Sequence, residues 1–151
     1  MIRLQERPID VAAELAALSA GRTDIGAVAS FLGLVRDVAG EQTISAMTLE
    51  HYPGMTERKL AEIEAEARRR WPLQASLVVH RYGRMLPGEA IVLVATASPH
   101  RAAALEACAF LIDWLKTKAP FWKLEETGAD RRWVAARDSD DRAAERWAEQ
   151  A

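Results

Sequence analysis

Apolar and polar positions along this chain follow two periods, and each predicts a different kind of element. Ile2 to Gln5 fits a short strand. Beyond Pro8 and Asp10, the residues Val11, Leu15 and Leu18 recur at helical spacing, and Gly21 is placed to stop that helix. Gly26 to Val35 is almost continuously apolar, with Val28, Phe31, Leu32, Leu34 and Val35, which predicts a strand buried on both faces. Gly33 inside it predicts a bulge or a close backbone approach. The strand should end at Arg36 and Asp37, with Gly40 in the following loop.

Thr43 to Tyr52 alternates, with Met47 and Leu49 on one face and Thr48 and Glu50 on the other, the pattern of a half-exposed strand. Pro53-Gly54 breaks it, and Thr56 is the expected cap of a helix running to about Arg70. Leu60, Ile63, Ala67 and Trp71 form its core-facing stripe. Leu77 to Tyr82 and Ala90 to Ala97 predict two strands around a Pro87-Gly88 turn. Ser98 is the expected N-cap of the next helix, with Pro99 at its first position. That helix should carry Leu105, Cys108, Leu111, Ile112 and Leu115 inward and stop at Pro120. Phe121 to Glu126 and Arg131 to Val134 predict a last strand pair, and Asp138 to Gln150 a short helix around Trp147. Helices and strands are interspersed without strict alternation, so the fold class is α+β with a mixed or mainly antiparallel sheet.

Composition narrows the classes. The chain has 151 residues, the size of one domain (1–151) with a real core. Twenty Lys and Arg against 22 Asp and Glu give a net charge of −2, which argues against a general nucleic-acid binder. The lone cysteine, Cys108, forms no internal disulfide and sits among apolar neighbours, so it reads as a small buried hydrophobe in a cytoplasmic protein. The N-terminal residues lack a signal-peptide core, and no stretch has the roughly 20 apolar residues of a membrane span. His51, His80 and His100 show no metal-ligand spacing, and no P-loop or dinucleotide fingerprint is present, so neither metal nor cofactor is expected.

Three places carry candidate chemistry. His100 and Arg101 fall in the first turn of a helix, where unpaired N–H groups and the macrodipole favour anions. Cations there oppose the dipole, which makes sense if an anion binds between them. The alternative is a solvated arginine and a core-packed histidine. At the other end of the same helix, Lys116 and Lys118 complement the dipole, a sufficient explanation for Lys118. Lys116 follows Trp114-Leu115 near the junction with the next strand, and Lys123 follows Phe121-Trp122. Partial burial of either lysine would suit acid–base or nucleophilic work, and two ordinary surface lysines are the alternative. Arg36, at a strand end, either points into a cleft or pairs with a neighbouring acid.

Four segments together resemble the family of the large, catalytic subunit of molybdopterin synthase. They are Leu49-Glu-His-Tyr-Pro-Gly-Met-Thr-Glu57, His80-Arg-Tyr-Gly-Arg84, Ser98-Pro-His-Arg101 and Leu115-Lys-Thr-Lys-Ala-Pro-Phe-Trp-Lys123. Their order and spacing match over nearly the whole chain. The resemblance implies an α/β hammerhead-type fold and a central homodimer within a heterotetramer. It implies a small ubiquitin-like sulfur-carrier subunit whose C-terminal Gly-Gly thiocarboxylate enters the pocket. It also implies cyclic pyranopterin monophosphate as substrate, which receives two sulfurs to become the dithiolene of molybdopterin. Carried over by position, Arg36, His100 and Arg101 would bind the substrate phosphate, Lys116 would act at the reacting centre, and Lys123 would position substrate and assist proton transfer. Leu34, Val35, Leu124 and Glu125 would add contacts. Relatives often have a basic residue where this chain has Leu124, which removes a cationic contact there and leaves a backbone one. The helix from Ser98 holds its two ends tens of ångströms apart at about 1.5 Å per residue. The pocket is therefore expected to be shared, with Lys116 and Lys123 from one protomer and His100 and Arg101 from its mate. A phosphate- or nucleotide-binding module without catalysis, or a dimeric scaffold, are the competing readings.

Overall fold

The computed structural model describes residues 1–128, 130–134 and 138–148. In chain order the elements are β1 (Ile2–Gln5), α1 (Val11–Ser19), β2 (Ala27–Leu34), β3 (Val38–Ala39), β4 (Gln42–Thr43), β5 (Ala46–His51), α2 (Met55–Arg70), β6 (Ala75–Arg81), β7 (Gly83–Met85), β8 (Ala90–Ser98), α3 (Arg101–Lys118), β9 (Phe121–Thr127), β10 (Asp130–Val134) and α4 (Asp138–Glu145). One four-stranded sheet has the order β1-β6-β8-β2, and only its β1–β6 pair is parallel. A second sheet, β10-β9-β5-β7, is antiparallel throughout. The α+β class with a mixed, mainly antiparallel sheet is borne out.

The apolar run of β8 explains the layering. Val92 and Val94 pack with Val78 of β6 beneath α2 and α3, against Leu60, Ile63, Ala104, Cys108, Phe110 and Leu111. Leu93 and Ala95 face the other way with Leu77 and Val79, and are covered by Val11, Leu15 and Leu18 of α1. From Val92 to Ser98 every residue of β8 is thus buried by one layer or the other. Thr96 donates from Oγ1 to the Ala104 carbonyl at 2.6 Å and ties α3 to this strand. Near the C-terminus, Trp147 closes the α2–α3 side, edge-on to Trp71 and Phe110, with its Nε1–H donated to Asp113 at 2.7 Å.

Five expectations change. β2 is not buried on both faces: it is an edge strand, with Val28, Phe31, Leu32 and Leu34 exposed. Val28 and Leu32 pair with Ala97 and Leu93 on the α1 side, but α1 packs against β6 and β8 and leaves that part of β2 uncovered. Thr56 is not a cap but lies in the first turn of α2. Its Oγ1 accepts from Tyr52 N–H at 3.0 Å and donates to Tyr52 O at 2.9 Å, while Gly54, at φ 84°, is the N-cap. Ser98 is still in β8, because a residue before proline is held extended. Its hydroxyl donates to Pro72 O, and His100 takes the N-cap, which leaves Pro99 outside the helix. Leu105 is 62% exposed, since Ala104, Ala107, Cys108, Leu111 and Leu115 take the inward positions and Leu105 lies a third of a turn away. The short strand β7 was not anticipated. The bulge expected at Gly33 is present between Gly33 and Leu34, and Gly33 also lies close to Val92. The last helix ends at Glu145 with Trp147 in the turn beyond, and positions 149–150 of the expected helix lie outside the described residues. No helix among the described residues is long and apolar enough to cross a membrane.

Candidate functional site

Between the two sheets lies a cavity of about 390 Å³, within the range of small-molecule sites. The pleat of β5 and β9 builds one wall. Met47 pairs with Glu125 and Leu49 with Lys123, so these four share one face with Phe121. The end of β2 builds another. After the bulge, Val35 N–H donates to Glu89 O at 2.9 Å and Val35 O accepts from Gly88 N–H at 2.7 Å, which sets Leu34, Val35 and Arg36 along the cavity. His80 from β6 and Ile91 and Val92 from β8 form the base. Leu115 and Lys116, from the last turn of α3, close the side.

Three cations stand in this largely apolar wall. Arg36 and Lys116 are exposed and make no ion pair or hydrogen bond among the described residues, and Lys123 is half-buried. Glu125 brings a buried carboxylate to the same space, and Asp140 lines it as well. His80 is 5% exposed, stacks on Phe121 with ring centres 3.9 Å apart, and bonds through Nδ1 to Arg81 O at 2.8 Å. Burial, and next the charges of Lys116 and His51, outweigh that bond and push its pKa down to about 4, so the imidazole is neutral at pH 7. Cys108 is remote from the cavity, buried under β8, and burial pushes its thiol up to about 11. No group of three or more His, Cys, Asp and Glu among the described residues is arranged to hold a metal ion.

The structure therefore brings Leu34, Val35, Arg36, Lys116, Lys123 and Glu125 together. It does not bring in Leu124, which pairs with Thr48 and Trp133 on the opposite face of the second sheet. His100 and Arg101 also stay outside. They are the N-cap and first residue of α3, exposed, and separated from Lys116 by about 22 Å of helix. Gly26 helps set their place: a Cβ on it would lie 1.9 Å from Pro99 O, so only glycine lets the start of β2 approach the helix entry this closely. Sequence reasoning gave no role to His80, Phe121 or Asp140 in the cavity. The period-2 pattern of β9 carried a signal for Phe121, which lies two residues before Lys123 on the same face.

Comparison with known proteins bears on the fold and the family. The family model described as MoaE protein matches residues 4–118. A curated relative from Mesorhizobium japonicum, named molybdopterin synthase catalytic subunit, is 55% identical over 97% of this chain and 92% of its own length. A solved molybdopterin biosynthesis MoaE protein from Burkholderia ambifaria superposes with a TM-score of 0.84 at 52% identity, covering 97% of both chains. The crystal structure of molybdopterin synthase from Staphylococcus aureus gives 0.82 at 30% identity, covering 88% of this chain and 96% of that one. With the same fold, a family model over most of its length and about half its residues in common with the Mesorhizobium and Burkholderia proteins, the chain belongs to the MoaE family of molybdopterin synthase catalytic subunits.

Proposed function

We propose that this chain transfers sulfur from the thiocarboxylated Gly-Gly tail of a small ubiquitin-like carrier subunit to cyclic pyranopterin monophosphate, making the dithiolene of molybdopterin in the cytoplasm. The carrying observation is the cavity whose wall brings Arg36, Lys116 and Lys123 together beside the carboxylates of Glu125 and Asp140. Both the substrate phosphate and the incoming thiocarboxylate are anions, and a pocket that holds them together needs more than one cation. Arg36 binds the phosphate. Lys116, at the junction of α3 and β9, faces the reacting carbon and stabilises the negative charge that develops there, or links transiently to the carrier tail. Lys123 positions the substrate and assists proton transfer. Leu34, Val35 and Glu125 shape the remaining wall, and Leu124 contributes through its backbone.

His100 and Arg101 complete the phosphate site from the other protomer of a homodimer, with one carrier bound to each protomer in a heterotetramer. The exposed apolar edge of β2 supports that arrangement, because Gly26, just before the strand, packs against Pro99, the residue preceding His100. Sulfur that arrives on a carrier also accounts for a cysteine that is buried and protonated.

Lys116→Ala, supplied with thiocarboxylated carrier and cyclic pyranopterin monophosphate, should lose conversion altogether while still binding the carrier. Near-normal turnover in that variant would remove Lys116 from the reaction.

A further inference from the structure

We infer that His80 is a substrate-contacting residue, whose Nε2 lone pair accepts a hydrogen bond from an N–H of the substrate's heterocyclic rings. The inference rests on the sulfur-transfer reading and names a contact which that reading does not contain.

Its basis is the wiring of the ring. Nδ1 lies 2.8 Å from Arg81 O, and a carbonyl can only accept, so Nδ1 carries the hydrogen. In the neutral imidazole, Nε2 is then a bare acceptor. Nε2 has no hydrogen-bond partner among the described residues, yet it is not enclosed: the one fully buried side-chain N or O atom left without a partner among those residues is Gln74 Oε1. His80 is 5% exposed and lines the cavity, so the cavity is the open space within reach of Nε2. The stack on Phe121 fixes the ring plane, leaving Nε2 little freedom to turn away.

The chemistry selects what it binds. A protonated histidine would add to the anion site, but this one is kept neutral by burial and by Lys116. A bare lone pair repels phosphate oxygens and attracts N–H or O–H donors. Arg36, Lys116 and Lys123 are themselves donors and meet the anionic parts of the ligands, so they leave the ring N–H groups unserved. Among the described lining residues, Glu125, Asp140 and His80 bring side-chain acceptors, and the imidazole of His80 is neutral at pH 7. It can take a neutral ring N–H without drawing the lysines away from the phosphate and thiocarboxylate, as a carboxylate would.

Two substitutions separate this role from packing. Both His80→Asn and His80→Gln remove the aromatic stack. The first keeps an amide N–H for Arg81 O and places nothing at the Nε2 position, whereas the second returns an acceptor oxygen there. Thermal unfolding should report a similar loss of stability in both. With saturating thiocarboxylated carrier, His80→Asn should lower kcat/KM for cyclic pyranopterin monophosphate about tenfold, the worth of one unmade hydrogen bond, and His80→Gln should recover most of it. If the Asn variant is as active as wild type, or the Gln variant is as impaired as the Asn variant, the contact does not exist and the sulfur-transfer reading stands. A wild-type chain that converts none of the precursor overturns that reading and this inference with it.

Discussion

His80 is held neutral in the fold at a pKa of about 4, against 6.5 for the free side chain. Between these values the unfolded chain binds the proton more readily, so stability rises with pH through this window and is lost as acid is added. The first cause is burial, and the charges of Lys116 and His51 act in the same direction, while the Arg81 carbonyl opposes them. The full difference is about 3 kcal/mol. Urea unfolding of wild type and His80→Gln from pH 7 to pH 4 should show wild type losing about that much more, and parallel curves would contradict it. The sequence left this residue unread for a physical reason. Arg36 lies just past the end of a strand, Lys116 in the last turn of a helix and Lys123 two residues into the strand that follows, and such positions can be found by reading along the chain. His80 acquires its character from Phe121 and Lys116, which reach it only when β9 and α3 are in place.

The elements were legible where one layer decides the burial of each residue, as in α2, whose stripe of Leu60, Ile63 and Ala67 is buried as its period predicts. They were misread at their junctions. Ser98 has the chemistry of a cap but spends its hydroxyl on Pro72 O, and the helix opens at His100 with no side-chain cap. β2 has the composition of a central strand and the place of an edge, because composition does not say how far α1 extends. The same junction yields a stability prediction. Gly26→Ala would drive a Cβ into the Pro99 carbonyl, a backbone atom that cannot yield without displacing the helix entry. It should cost about 3 kcal/mol or more in denaturant unfolding. Gly40→Ala, where nothing lies within 4 Å and the strain is in a φ of +66°, should cost about 1 kcal/mol. Equal costs would mean that the approach of Gly26 to Pro99 is not the constraint.

At the scale of the whole molecule, Arg101 and Lys116, at the two ends of α3, lie about 22 Å apart along the helix, and the proposed site draws on both. A shared site makes a specific prediction about mixtures. Lys116→Ala and Arg101→Ala should each be inactive alone. Unfolded together and refolded as equal mixtures, they form hybrid dimers in which one of the two sites keeps both residues. About a quarter of wild-type activity should return on statistical mixing. No recovery would place His100 and Arg101 outside the reacting site, or within the site of their own protomer. A chain held monomeric should be inactive as well.

The order of strands in the first sheet also bears on how the chain is made. β2 has one strand partner, β8, and the whole of β5, α2 and β6 is synthesised between them. Until β8 leaves the ribosome, Ala27–Leu34 is an apolar, strand-forming segment with both edges open. In the finished fold one of those edges stays open, so the same eight residues remain the place where another strand could add, during synthesis and after it.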